Sequence, residues 1–456
     1  MERAREIAPI WMLLCCGLAA FWGFSIGLAS PKGLADYKGL YYAARSLIQH
    51  CDPYKLGEPL RIYQREGGSH SQPSDDVRTV LTRYVYFPPA FVLTAPLALL
   101  PPGPAQLLWM VLTAGCLILA AILIWDLARD DSLYISLFLI CFVLANSEIL
   151  FATCNVAGIV VSLCVVAVWC FIEERFMPIG VLCLAVSLAV KPHDAGLVWL
   201  VFLVAGGVYR KRALQTIAVN AALAVPTIFW VTHIAPHWMQ ELHSNLLVDL
   251  SPGGACDPGL SFSSGNGPSA ILDLQSTISV FWDDPRIYNS TSYLVCGALL
   301  LFGSLRVRRS GLTRDSARLA LGFVVPLTIL MTYHQYVDAK LLLLAVPACA
   351  MLWAEGGLTR WFALLITTAS IVSTGDITLT ALQILTSILQ VSTAGLSGKL
   401  LAVVLTRPAP LILLTMAIFY LWAFIRRAPD LARPVGPKRS GQESLVSVPA
   451  HIEVVS

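Results

Sequence analysis

Apolar runs of roughly 17 to 25 residues, each long enough to cross a hydrocarbon core of about 30 Å as a helix, recur from Ile7 to Ile425. They are continuous and rich in Leu, Ala and Val. A membrane β-barrel would instead show ten-residue stretches of alternating polarity, so the runs predict helices. Short basic breaks punctuate them at Glu173 to Arg175, Arg210 to Arg212, Arg306 to Arg314 and Arg360, and again from Arg426. Placed inside by the positive-inside rule, these breaks predict about twelve spans with both termini cytoplasmic. The transmembrane unit is then 1–427, with two large extracytoplasmic loops at about 30–87 and about 236–289. A Pro-, Arg- and Ser-containing tail, 428–456, reads as a disordered cytoplasmic segment. The stretch from Pro88 to Pro102 is short for a span and reads equally as a re-entrant or a juxtamembrane helix before a span from Ala105 to Ala128. The first run, Ile7 to Ala29, is longer than a signal-peptide core and lacks a clear small-residue cleavage site, which predicts a retained helix.

Composition agrees with an all-α, polytopic membrane protein. Of 456 residues, 57% are hydrophobic and 13% are charged, against about 25% charged in soluble domains. That excludes an ordinary soluble enzyme, and a net charge of +3 offers no surface for nucleic acid. Ten of the twelve cysteines lie in or beside apolar runs, where they pack as small hydrophobes. Cys51 and Cys256 fall in the two long loops and could pair only if both loops face an oxidising compartment. The two halves show no matching broken helices of the kind that mark inverted-repeat transporters.

Ionisable residues at span ends are expensive unless they meet water, a partner or a substrate. Asp36, Glu148, the Lys191-Pro192-His193-Asp194 turn, Tyr333, His334, Asp338 and Asp376 all fall on the side opposite the basic breaks. A site built there is bounded by membrane on one side, which suits a lipid-linked substrate. Asp36 sits near the start of an amphipathic helix carrying Tyr37, Leu40, Tyr41, Ala44 and Leu47, and helix capping alone would account for it. Lys191 reads either as an interfacial anchor or as a phosphate contact, and His334 either as a phosphate or sugar contact or as part of an aromatic belt. His233, His237 and His243 have poor metal spacing, with Pro236 between the first two, so no metal is expected there. No phosphate-binding glycine loop, nucleophile elbow or dinucleotide fingerprint is present.

An ordered series of segments runs from Asp36 to Tyr54, then Tyr84-Val85-Tyr86-Phe87-Pro88-Pro89, Lys191-Pro192, Ser264-Gly265-Asn266-Gly267-Pro268-Ser269 and Tyr333-His334-Gln335-Tyr336-Val337-Asp338. In order and spacing it resembles glycosyltransferase family 87, over about Asp36 to Pro347. The resemblance implies a GT-C fold in the plasma membrane that uses no cofactor or metal. Its implied partners are a polyprenyl-phosphate-linked sugar donor, a lipid or glycan acceptor, and membrane lipids. The implied reaction transfers the sugar, mannose or a pentose such as arabinose, to an acceptor hydroxyl on the extracytoplasmic face. Asp36 matches the family's general base. Lys191 and His334 match positions that stabilise the departing phosphate, and the candidate substrate contacts are Tyr41, Arg45, Lys191, His193, Asn266, His334 and Asp338. Two segments depart from the family pattern: Thr153-Cys154-Asn155, where a Gly-Gln pair is common before the Asn, and Asn266-Gly267-Pro268-Ser269, where Asn-Gln-Ser is common. Both touch the expected sugar or acceptor pocket. A transporter or flippase with charges deep in its spans, and an inactive scaffold relative, are the competing readings.

Overall fold

The computed structural model describes residues 2–30, 33–66, 75–259, 270–389 and 395–431. Twenty-one α-helices account for most of these residues. α1 (Glu2–Ala29) leads into the first long loop, which carries helices of its own: α2 (Ala35–Ile48), α3 (Glu58–Arg65) and α4 (Asp75–Thr82). A 3-10 turn at Pro88–Ala90 opens α5 (Phe91–Ala98), and Pro102 begins α6 (Pro102–Ala128). The segment from Pro88 to Pro102 is therefore a short helix packed against α2 ahead of a long span. There follow α7 (Leu133–Ala145), α8 (Glu148–Thr153), α9 (Ala157–Ile172), α10 (Met177–Val190), α11 (Pro192–Ala205) and α12 (Gly207–Ile234). The second long loop holds α13 (Trp238–Leu250) and α14 (Leu274–Ile278). The rest is α15 (Pro285–Ser310), α16 (Arg314–Met331), a 3-10 helix at Asp338–Ala345, α17 (Val346–Glu355), α18 (Gly357–Ser373), α19 (Asp376–Leu389), α20 (Gly395–Thr406) and α21 (Pro408–Leu431).

Among the described residues, the apolar runs of the sequence are helical. Among the described residues, five helices are long and apolar enough to cross a membrane: α1, α6, α12, α15 and α21. The bent pair α18 and α19, joined at 65°, makes a sixth if it counts as one span. α9, α10 and α11 are shorter, at 16, 14 and 14 residues. α16 is buried from Ser316 to Leu330, as expected of a helix enclosed by neighbours on all sides. It packs against α11, α15, α21 and the 3-10 helix.

One end of this bundle carries the basic residues and is knitted by ion pairs: Arg314 with Glu173 at 2.5 Å, Arg318 with Asp131 at 2.6 Å, and Arg427 with Glu355. At the other end the two long loops are tied together. Arg83 Nε donates to Asp249 at 3.0 Å, and Asn245 Nδ2 donates to the carbonyls of Tyr54 and Tyr84 at 3.0 and 3.2 Å. The buried Arg407 gathers the second loop by donating to Pro258 O at 3.0 Å, Ser279 Oγ at 2.8 Å and the carbonyl of Ser276. No disulfide joins the loops. Cys51 and Cys256 are both free, and the Cys256 thiol is instead hydrogen-bonded to Tyr333.

Gly23 and Gly27, four residues apart on α1, let that helix lie against the backbone of α8. A Cβ on Gly23 would fall 2.5 Å from Glu148 O and 2.5 Å from Phe151 Cβ, and one on Gly27 would fall 2.5 Å from Ala152 O. Small residues at this spacing allow close backbone approach in membranes, where packing rather than the hydrophobic effect drives association. Gly23→Ala is expected to destabilise the protein by about 1–3 kcal/mol through overpacking. Gly17→Ala, where a Cβ meets open space, serves as the neutral control. Thermal melting in detergent measures both, and equal melting temperatures would refute the close contact.

Candidate functional site

The site is assembled where helices end. Leu34, in left-handed conformation, donates its N–H to Ala152 O at 2.9 Å and so sets the start of α2 against the end of α8. The turn after α8 is held from the other side by Trp109, whose indole N–H donates to Cys154 O at 3.0 Å. Asn155 completes the turn, its Oδ1 accepting from the N–H of Ala157 at 2.9 Å. That bond fixes the amide's orientation, so Nδ2 is the atom that donates to Asp36 Oδ2 at 2.8 Å. Asp36 therefore caps nothing: no side-chain cap bond forms at the α2 N-terminus, and the carboxylate turns inward to Asn155. Burial pushes the Asp36 carboxyl above its usual range. Hydrogen bonds from Asn155 and Thr153 and the charge of Lys191 oppose that shift, and Asp338 adds to it.

Lys191 occupies the break between α10 and α11, created because Pro192 cannot continue the preceding helix. Its buried ammonium donates to Asp338 Oδ1 and lies 3.5 Å from Asp194 Oδ2. Asp338, in the first turn of the 3-10 helix, also accepts the N–H of Gln335 at 2.8 Å. His334 sits in the link from α16. Its Nδ1 is 2.8 Å from Thr332 O, its Nε2 is 3.1 Å from Asp194 Oδ1, and its ring meets the His193 ring edge-on at 5.0 Å. The second long loop is pinned to the same link: Leu272 N–H donates to His334 O at 2.9 Å, and Ile271 pairs with Gln335. Asp273, beside this join, is pushed up to about 7 by burial.

Asp36, Lys191, His193, His334 and Asp338 thus come together from three separate stretches of the chain. Tyr41 and Arg45 do not join them. Arg45 is nine residues further along α2, about 13 Å at 1.5 Å per residue. It is engaged by Glu66 at 2.9 Å and Ala98 O at 2.8 Å, and the Tyr41 hydroxyl donates to Leu100 O at 2.8 Å. Both brace α2 against the chain around α5. Asn266, with the Ser264–Ser269 segment, lies outside the described residues. Asp194 and Asn155 belong to the cluster although neither was among the candidate residues. The sequence signals were present: Asp194 as an acidic residue in a span-end turn, Asn155 as the retained member of a segment that otherwise departs from the family.

His233, His237 and His243 form no ligand group. Among the described residues, the set whose ligand atoms could hold a metal ion is His193, Asp194 and His334. Two cavities lie elsewhere. One of about 460 Å³ is lined by Asp131, Asp315, Glu355 and Arg427 at the basic end, and one of about 420 Å³ lies between the apolar faces of α1 and α7.

Fold and site together define a polytopic helical membrane protein with a buried cluster of opposite charges at the end of the bundle away from its basic residues. The model of glycosyltransferase family 87 matches residues 84–333, more than half of the chain. The chain belongs to that family and is a membrane glycosyltransferase. The match includes Asn155, Lys191, His193 and Asp194 and ends one residue before His334; Asp36 precedes it. No curated protein and no solved structure matches the chain.

Proposed function

We propose that the chain transfers a sugar, mannose or a pentose such as arabinose, from a polyprenyl-phosphate donor to the hydroxyl of a lipid or glycan acceptor. The reaction takes place at the extracytoplasmic face of the plasma membrane in a GT-C type enzyme. The observation that carries this reading is the half-buried Asp36 carboxylate, oriented by Asn155 and set beside the Lys191–Asp338 pair. Asp36 is the general base: it takes the acceptor's proton as the hydroxyl oxygen attacks the anomeric carbon, and the sugar–phosphate bond breaks on the opposite side. A carboxylate suffices because the hydroxyl becomes acidic only as the new bond forms, and holding the acceptor in place supplies much of the remaining advantage. Lys191 and His334 face the leaving phosphate, where positive charge in a water-poor site is most effective. The basic residues at the far end of the bundle set the orientation, since they favour the cytoplasm.

The test is transfer from a panel of radiolabelled polyprenyl-phosphate sugars by membranes carrying the protein. Transfer from one donor names the sugar, and no transfer from any donor by folded protein removes the reading. The pH profile adds a second check. Asp36 works only when ionised, and burial raises its pKa above the ordinary 3.8. The acid limb of kcat/KM is therefore expected above that value, with activity rising with pH through it. A rate that stays flat down to pH 4 would contradict a buried carboxylate base.

A further inference from the structure

Behind the site lies a second buried ion pair that the transfer chemistry does not touch. Lys340 Nζ is 3.6 Å from Asp376 Oδ1, and both residues are no more than 3% exposed. Asp338 and Lys340, two residues apart on the 3-10 helix, serve different junctions: Asp338 accepts from Lys191 in the site, whereas Lys340 donates to Asn146 O. At that second junction two helix starts hold each other. Ile149, in the first turn of α8, donates its N–H to Asp376 Oδ2 at 2.7 Å, and Ile377, in the first turn of α19, donates its N–H to Asn146 Oδ1 at 3.4 Å. Ser147, the residue before α8, turns its hydroxyl back to Val143 O at 2.9 Å and makes no cap bond, so capping of this helix start falls to Asp376. Gly375 permits the close approach, since a Cβ there would lie 2.6 Å from Asn146 Oδ1.

α8 is only six residues long, about 9 Å at 1.5 Å per residue, and so short a helix has no stability of its own. Its position is therefore fixed by what grips its two ends. Asp376 grips the first turn. The other end carries the groups that set Asp36: Ala152 O accepts the N–H of Leu34, and Asn155, just past the helix, donates to Asp36 Oδ2. We propose that Asp376, with Lys340 neutralising it in the buried junction, is a positioning residue for Asp36 and acts through α8. The kinetic consequence rests on the transfer reading, in which Asp36 is the base; the link from Asp376 to Asp36 stands on the contacts themselves.

The experiment compares two full-length variants in detergent, with melting temperature checked for each. In Lys340→Met with Asp376→Ala, both members of the ion pair are removed together, so no charge is stranded, and α8 loses its cap. In Lys340→Met with Asp376→Asn the same charges are gone, but the amide oxygen still accepts from Ile149. The variants therefore differ in the cap and not in charge. The first readout is labelling of Asp36 by dicyclohexylcarbodiimide, which adds to a protonated carboxyl; peptide mass spectrometry across a pH series gives the pH of half-labelling. Loosening α8 weakens the Asn155 hydrogen bond that favours the ionised carboxylate, so half-labelling is expected at higher pH in the Ala variant than in the Asn variant. Lys191, Asp338, Tyr86, Tyr333 and Cys154, the other titratable groups around Asp36, are the same in both. The second readout is transfer: kcat is expected to be about 10- to 100-fold lower in the Ala variant with KM little changed, since a misplacement of about 1 Å can cost about 10²-fold. That difference should vanish when Asp36→Asn is added to both. Coincident labelling curves in the two folded variants would overturn the link whatever the transfer result, and shifted curves with equal kcat would overturn the positioning role. Shifted curves with no transfer by the wild type would support the link and remove the transfer reading instead. If the Ala variant melts below the assay temperature, Asp376→Leu takes its place, filling the volume without offering an acceptor, and is read against the same Asn variant.

Discussion

Asp36→Asn is expected to leave the protein folded and to reduce sugar transfer by about 10²–10⁴-fold, the usual contribution of a positioned general base. The substitution is nearly isosteric. The new amide oxygen can still accept the 2.8 Å hydrogen bond from Asn155 Nδ2, so the junction of α2 with the turn after α8 keeps its contacts. What disappears is the ability to receive a proton. Transfer assays on membranes with matched protein levels, together with melting curves, separate the two effects. A folded Asp36→Asn protein with wild-type transfer would end the assignment of Asp36 as base. Asn155→Ala offers a graded companion: the carboxylate remains but loses its orienting donor, so kcat should fall while the acid limb of the pH profile moves up, because a hydrogen bond that stabilised the ionised form is gone.

Lys191→Met is expected to destabilise the protein by about 3–5 kcal/mol, because removing one member of a buried ion pair strands the other without compensation. Here two carboxylates are stranded: Asp338, which accepts from the ammonium, and Asp194, 3.5 Å from it. The effect should be partly reversible. In Lys191→Met with Asp338→Asn, one of the unpaired charges is removed, and stability should recover by about 1–3 kcal/mol relative to Lys191→Met alone, the range seen for coupled neighbours in double-mutant cycles. Chemical or thermal unfolding of the single and double variants measures this. Strict additivity would show that the pair is not coupled. Transfer activity should remain low in both variants, since neither restores the positive charge facing the donor phosphate.

The class of the protein was legible in the sequence because membrane spanning is a local property. Twenty or so apolar residues in succession must form a helix in lipid wherever the rest of the chain goes, and among the described residues the apolar runs between Ile7 and Ile425 are helical. The grouping of Asp36, Lys191, His334 and Asp338 at one end was legible for a related reason. Each lies at the end of an apolar run, and the alternation of basic breaks tells which end that is. Only the packing of distant helix ends could decide the rest. Asp36 sits at a helix start in sequence, where capping is the local expectation, but α1 crossing α8 at Gly23 and Gly27 brings Asn155 to it from 119 positions away. Arg45 reads as a substrate contact from its polar position on α2 and is consumed by Glu66 and Ala98 O. Cys51 and Cys256 fall in the two long loops but remain free. Asp194, His193 and His334 converge because Pro192 breaks a helix and α16 ends at Met331, two events 139 residues apart. Hydrophobic pattern depends on neighbours in the chain, whereas a buried polar cluster depends on neighbours in space, and for this protein those neighbours are supplied by the close packing of helices that the pattern alone leaves free to pair in many ways.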